Sequence, residues 1–130
     1  MGNIKLLVMI DDDSDDHEIF DIAISEIDEL FEILHFDDCE QAIKHFSTPG
    51  ADQPGFVFVD INLPRIGGPE CISKLQGLRR FDNPRIIIYS SSIPEQWKEN
   101  LTHNGVDAFL QKTGSLSDLK EKLVALFLGA

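Results

Sequence analysis

The chain has 130 residues, which fit one domain that we expect to span residues 1–130, and its 42% hydrophobic and 26% charged residues are typical of a globular protein rather than a disordered one. The 11 Lys and Arg against 23 Asp and Glu give a formal net charge of -12, which repels phosphate backbones and anionic headgroups. We therefore expect neither nucleic acid nor a membrane surface as a direct partner.

Short apolar runs alternate with longer segments of helical period, which is typical of repeated βα units around a mostly parallel sheet. The first run, residues 6–10, reads as a strand buried on both faces. The apolar run that contains it, residues 4–10, is too short to span a membrane and has no cleavage-site pattern, so we expect a cytoplasmic location. The helix that follows carries apolar residues at helical spacing, and we expect Ser14 to cap it.

Four further strand and helix pairs follow along the chain. The predicted strands are residues 31–36, 56–59, 86–89 and 108–110. The predicted helices pass through residues 42–46, 71–78, 94–103 and 115–127. Asn83 and Pro84 close the third helix, and Asn104 with Gly105 ends the fourth. In the fifth helix, Ser115 and Asp118 form a capping-box variant.

The cysteines and histidines give no metal or redox signal. Cys39 and Cys71 belong to no CxxC pair, and two cysteines are too few for a disulfide framework, so we interpret both as packing residues. The four histidines share no metal-ligand spacing, and none is predicted to be catalytic: His17, His35, His45 and His103.

Polar side chains stand at the carboxyl ends of the predicted strands, where open α/β sheets bind their ligands. These are Asp11, Asp12 and Asp13 after the first strand, Asp60 after the third, Ser90 after the fourth and Lys112 just past the fifth. Carboxylates a few ångströms apart stay ionised together only if a cation compensates them. Oxygen ligands without Cys or His favour a hard cation, so we predict a Mg²⁺ site.

Asp60 is the candidate nucleophile, since a carboxylate can attack phosphorus and form an aspartyl phosphate. Mg²⁺ and the Lys112 ammonium would offset charge on the phosphoryl oxygens, and the Ser90 hydroxyl would donate to one of them. The sequence contains neither a Walker loop nor a GxGxxG turn. We therefore expect the phosphoryl group to arrive on another molecule.

With these residues in place, the chain resembles the receiver domain of bacterial two-component response regulators. Four segments together carry the resemblance: residues 7–13 (LVMIDDD), 59–68 (VDINLPRIGG), 87–91 (IIYSS) and 109–112 (FLQK). The resemblance implies a doubly wound, flavodoxin-like (βα)5 fold whose five parallel strands have the order 2-1-3-4-5, an order that places the first and third strands side by side.

The resemblance also implies individual roles. Asp60 corresponds to the phosphoacceptor, Asp12 to a direct metal ligand and Asp11 to a ligand acting largely through water. Asn62 would offer its backbone carbonyl to the metal. The remaining roles are Ser90 as the switch hydroxyl, Lys112 as the family's lysine and Phe109 as the aromatic switch residue.

Two positions depart from the family pattern. Thr113 stands where the family usually has a proline, often with a cis bond, which leaves the isomer of the Lys112–Thr113 peptide open. Gly67 precedes the expected Gly68 where an acidic residue is common, and we expect it to loosen that loop.

The implied function is a single-domain phosphorylation switch rather than a turnover enzyme, with only self-phosphorylation and slow autodephosphorylation at Asp60. A histidine kinase or a histidine phosphotransfer protein would supply the phosphoryl group. The readout would be binding to an unidentified downstream protein, onward transfer, or a homodimer through the face of the fourth helix, fifth strand and fifth helix.

Three other interpretations compete with this one. A haloacid-dehalogenase-type phosphatase would use Asp11 as nucleophile, but Asp15 replaces its expected threonine or valine. An EF-hand fails because Asp16 stands where glycine is needed. A receiver-like binding module that is never phosphorylated stays open. Asp13, Asp15 and Asp16 are interpreted as solvated residues of a turn and helix start.

Overall fold

The computed structural model describes residues 5–27, 31–78 and 84–128, in which five strands and five helices alternate. The strands are β1 (Lys5–Ile10), β2 (Phe31–Phe36), β3 (Phe56–Val59), β4 (Arg85–Ser90) and β5 (Ala108–Gln111). The helices are α1 (Ser14–Ser25), α2 (Cys39–Phe46), α3 (Gly68–Gln76), α4 (Glu95–His103) and α5 (Leu116–Leu128). Each predicted element is present, with bounds that differ by a few residues.

The strands form one parallel sheet in the order β2-β1-β3-β4-β5. In the register of the three central strands, Ile10 lies opposite Val59, and Val59 lies opposite Ile88. The carboxyl ends of β1, β3 and β4 therefore meet at one edge of the sheet. The predicted doubly wound α/β fold and its strand order are confirmed.

Helices cover both faces of the sheet. Alternate residues of β1 point to opposite faces, so that Val8 packs with α2, α3 and α4 while Met9 packs with α1 and α5. All four residues of β3 are buried, as expected for a central strand of a parallel sheet. This packing on both sides fixes the central strands, and thereby the ends from which the polar side chains project.

The structure corrects two helix boundaries. The N-cap of α1 is Asp13, whose side chain accepts a hydrogen bond from the Asp15 amide, whereas Ser14 is already inside the helix. An acidic cap one residue earlier adds a favourable interaction with the helix dipole. Helix α3 ends at Gln76, so Leu78 lies beyond it, and the predicted stop at Asn83 falls outside the described residues.

The fifth helix begins as predicted. The Asp118 amide donates to the Ser115 hydroxyl at 3.2 Å, which satisfies one of the free amides of the first turn of α5. Leu119 and Leu123 of this helix are buried in the core.

The prediction that Cys39 and Cys71 only pack was wrong, because the two form a disulfide with their Cα atoms 5.7 Å apart. Both are fully buried, as the packing interpretation required. They lie in the first turns of α2 and α3, two helices that pack side by side on one face of the sheet. A separation of 32 residues in the sequence conceals this proximity, which arises only from the right-handed βαβ connection.

The outer surface of α4 carries an exposed aromatic residue. Trp97 is 42% exposed, and it lines a shallow groove with Pro69 of α3 and Asn100. None of the helices in the described part of the chain is long and apolar enough to cross a bilayer.

Candidate functional site

Asp11 is the buried member of the acidic cluster. It directly follows β1, is 1% exposed, and its Oδ1 accepts a hydrogen bond from the Asp13 amide at 2.9 Å. Its backbone carbonyl lies 2.6 Å from Nε2 of His17 in α1. Asp12 is exposed. The end of β1 thus presents one fixed carboxylate and one that faces solvent.

Asp60 lies beside this loop at the end of β3, where its amide donates to the Ile10 carbonyl at 3.1 Å. Its Oδ1 accepts from the Ser90 hydroxyl at 3.0 Å and from the Asn62 amide at 2.9 Å. Its Oδ2 accepts from the Lys112 ammonium at 2.8 Å. Both oxygens of this buried carboxylate are therefore held in fixed directions.

Lys112 joins the carboxylates of three different chain segments. Its Nζ lies 2.7 Å from Asp11, 2.6 Å from Asp16 and 2.8 Å from Asp60, in each case from Oδ2. The ring of Tyr89 lies under the ammonium at 5.4 Å, a geometry in which an aromatic face stabilises a cation. The Lys112 amide also donates to the Ser90 carbonyl at 2.9 Å, which fixes the backbone after β5.

Burial and charge shift the pKa values of these groups. Burial raises the pKa of Asp11, against the opposing effects of Lys112 and the Asp13 amide. Burial lowers the pKa of Lys112, but its hydrogen bonds to Asp11, Asp16 and Asp60 outweigh that effect, so the net shift is upward. Burial also raises the pKa of Tyr89 to about 12. Lys112 therefore stays protonated. Its single positive charge does not neutralise the carboxylates of Asp11, Asp16 and Asp60 that surround it.

The donor set fits a hard divalent cation. Asp11, Asp12 and Asp60 each offer a carboxylate oxygen, and these oxygens lie within 4.8 Å of one another. Oxygen-only ligation by carboxylates, with the exposed Asp12 leaving room for water, is the environment that Mg²⁺ prefers. The predicted acidic cluster is thus compatible with Mg²⁺.

Gly68 fixes the distance between the site and helix α3. A Cβ atom built on Gly68 would lie 2.5 Å from the Asp60 carbonyl oxygen and 2.8 Å from the Ile61 Cα. Backbone atoms cannot move away as a flexible side chain can. The same atom on Gly67 would meet only the Ile61 carbonyl oxygen at 3.7 Å, and the φ of Gly67 is an ordinary -68°.

Gly68→Ala is therefore expected to destabilise the domain by about 2 kcal/mol, since the added methyl group must displace backbone in a packed region. Gly67→Ala, one residue away at the N-cap of α3, is the matched control and should cost less, about 1 kcal/mol or below, because it loses only part of the helix cap. Urea unfolding of the two variants measures the difference. Equal losses in both variants would show that the close approach at Gly68 does not limit packing.

The structure brings together five of the residues predicted from the sequence: Asp11, Asp12, Asp60, Ser90 and Lys112. Asn62 contacts Asp60 through its backbone amide, and the role of its carbonyl as a metal ligand stays a prediction. Phe109 lies apart from the carboxylates, half-buried against the core, with the Lys98 ammonium 5.8 Å from its ring centre.

Two site residues were missed by the sequence analysis. Asp16, interpreted as a solvated residue, is the partner of Lys112, and His17 is buried against the Asp11 carbonyl. The signal available for Asp16 was its place in the first turn of a helix that starts at the acidic loop. No described peptide bond is cis, so Lys112–Thr113 is trans.

A family model described as the response regulator receiver domain matches residues 7–124. The chain belongs to this family. A curated relative of this receiver domain, hybrid signal transduction histidine kinase D of Dictyostelium discoideum, is 24% identical over 124 residues. The match covers 95% of the receiver domain and 8% of that kinase, so the domain spans less than a tenth of the relative's length. The family places the domain in two-component signalling.

Solved structures share the receiver fold. The phosphorylated cyanobacterial phytochrome response regulator RcpA is 19% identical, with a TM-score of 0.83 and coverage of 95% of this receiver domain and 91% of that chain. Response regulator TrrA from Thermotoga maritima, in complex with Mg(2+)-BeF, is 23% identical, with a TM-score of 0.71 and coverage of 95% and 99%. At these identities the likeness shows the fold, and the predicted receiver architecture is confirmed.

Proposed function

We propose that this receiver domain accepts a phosphoryl group on Asp60 in a Mg²⁺-dependent reaction. The observation that carries the proposal is the setting of the Asp60 carboxylate, which is held by Ser90, Asn62 and Lys112 and lies within 4.8 Å of the Asp11 and Asp12 oxygens. A nucleophile with a fixed orientation, beside a cation site, is what in-line transfer to a carboxylate requires.

Asp11, Asp12 and Asp60, with the Asn62 carbonyl, would hold the Mg²⁺, which when bound supplies positive charge to the phosphoryl oxygens. The Asp60 carboxylate attacks phosphorus, a new oxygen–phosphorus bond forms, and the bond to the donor's leaving group breaks with its electron pair going to that group. The Lys112 ammonium and the Ser90 hydroxyl then donate to phosphoryl oxygens. Hydrolysis of the aspartyl phosphate is slow, so the domain acts as a switch and not as a turnover enzyme.

The proposed donor is the phosphohistidine of a histidine kinase or histidine phosphotransfer protein, in keeping with the hybrid histidine kinase among the relatives. Phosphorylation would be read out by binding to a downstream protein, by onward transfer of the phosphoryl group, or by formation of a homodimer through α4, β5 and α5. Ser90 and Phe109 would be the switch residues.

We also place the domain in the cytoplasm. The Cys39–Cys71 disulfide does not favour this location, since disulfides are rare in reducing compartments.

The test is phosphoryl labelling by a small donor. Incubation with acetyl phosphate and Mg²⁺ should add one base-labile phosphoryl group to the intact mass, and chelation of the metal by EDTA should prevent the addition. A mass unchanged in the presence of metal would reject the proposal and favour a binding module that is never phosphorylated.

A further inference from the structure

We propose that Asp16 is a positioning residue that holds the Lys112 ammonium in place for the phosphoryl group on Asp60. The inference rests on the proposed function, because it assigns a role within the same phosphoryl-transfer site. Asp16 lies on α1, outside the strand ends that carry Asp11, Asp60 and Lys112. Its carboxylate makes a contact of 2.6 Å with Lys112.

The contact between Asp16 and Lys112 is shielded from water and rigid on both sides. The side chains are 19% and 11% exposed. The Asp16 amide donates to the Asp13 carbonyl at 3.1 Å in the first turn of α1, while the Lys112 amide is held by the Ser90 carbonyl. A partly buried ion pair is screened less by salt than an exposed pair, and packing around the two side chains already restricts their rotamers, so less side-chain entropy is lost when the pair forms.

Asp16 differs from the other two carboxylates that contact Lys112. Asp11 and Asp60 belong to the cluster that fits a divalent cation, whereas Asp16 is not part of that cluster among the described residues. In metal binding, the Asp11 carboxylate would therefore serve as a ligand of the cation, and phosphorylation would convert Asp60 into an acyl phosphate. Asp16 is the carboxylate that remains available to Lys112 in every state.

Asp16 has two opposing effects on the rate of phosphorylation, and the direction in which a variant changes that rate separates them. A fixed ammonium speeds transfer through orientation, whereas the negative charge of Asp16 near an incoming phosphoryl group slows it. If orientation dominates, removing the carboxylate slows phosphorylation. If charge dominates, removing it accelerates phosphorylation. The short Asp16–Lys112 contact and its burial favour orientation.

The experiment measures the rate of labelling by acetyl phosphate at saturating Mg²⁺. Asp16→Ala should slow labelling by about tenfold. Asp16→Asn keeps an oxygen that can accept from Lys112 and should recover part of that loss. The control is Asp15→Ala, which changes an exposed aspartate in the same helical turn and should be labelled at the wild-type rate. Rates for both Asp16 variants at or above wild type would overturn the inference.

A double-mutant cycle separates positioning from a merely structural role. In a Lys112→Ala background, Asp16→Ala should cause no further loss of rate, since its target is gone. Losses that add in full would reject the inference. If a thermal scan shows that Asp16→Ala is not folded, Asp16→Asn alone decides. A labelling rate below that of wild type supports the inference, and a rate at or above it rejects the inference. If wild type itself is never labelled, the proposed function fails; if wild type is labelled and the Asp16 variants match it, only the positioning role fails.

Discussion

Asp60→Asn is expected to abolish Mg²⁺-dependent phosphoryl labelling while leaving the fold intact. The amide has nearly the same shape, and its oxygen can still accept from the Ser90 hydroxyl and the Asn62 amide, as the Asp60 Oδ1 does. An amide is not a nucleophile toward phosphorus, and it supplies no charge to a metal or to Lys112. Intact mass after incubation with acetyl phosphate and Mg²⁺ measures the loss.

The control for Asp60→Asn is the same chemical change elsewhere in the acidic region. Asp15→Asn alters an exposed residue of the first turn of α1 and should be labelled as wild type. Asp11→Asn separates the two mechanisms only together with Asp60→Asn, since it removes either the nucleophile of a phosphatase-type reaction or a ligand of the proposed Mg²⁺ site. Labelling that survives in Asp60→Asn but is lost in Asp11→Asn would contradict the assignment of Asp60 as acceptor.

Loss of the Cys39–Cys71 disulfide is expected to destabilise the domain by between about 3 and 4 kcal/mol. The bond closes a loop between residues 32 positions apart in the sequence, and the chain-entropy relation for a loop of that length gives this value. A domain of this size is stable by roughly 5–15 kcal/mol, so the loss is a large fraction of the total. It corresponds to a decrease of roughly 10–15 °C in Tm.

Two comparisons measure the disulfide's contribution. The Cys39→Ala, Cys71→Ala double variant should unfold at lower urea concentration than oxidised wild type, and reductant should leave its midpoint unchanged. Wild type with reductant keeps the volume of both sulfur atoms, so it separates the effect of the bond from the effect of a cavity. A wild-type midpoint that does not respond to reductant, at a concentration shown by thiol titration to reduce the bond, would contradict the expected stabilisation.

The fold was predictable because its signals are local. The apolar run before Asp11 and the run before Asp60 each have the length of a buried strand, and turn residues mark their ends. Where such strands end, polar residues that serve no packing role stand out. Asp60, Ser90 and Lys112 were identified in this way, and the resemblance to the receiver family supplied the strand order that brings them together.

Residues missed by the sequence analysis depend on contacts between distant segments. Asp16 and Lys112 are 96 positions apart, and although Asp16 lies four and seven residues before the buried Phe20 and Ala23, the helix alone does not show that Lys112 is its partner. The disulfide is a similar case, because two isolated cysteines in separate βα units give no pairing signal in one sequence. The partner that a helical side chain meets on another element is fixed only by tertiary packing, which periodicity does not encode.

The exposed Trp97 on α4 makes the domain its own fluorescent reporter. It is the single tryptophan of the chain, so all tryptophan fluorescence of the protein comes from one known position. That position lies on the helix proposed for the docking face and next to Lys98, whose ammonium stacks on Phe109. Emission recorded before and after addition of phosphodonor would therefore report whether phosphorylation changes the surroundings of this face, in real time and without a label.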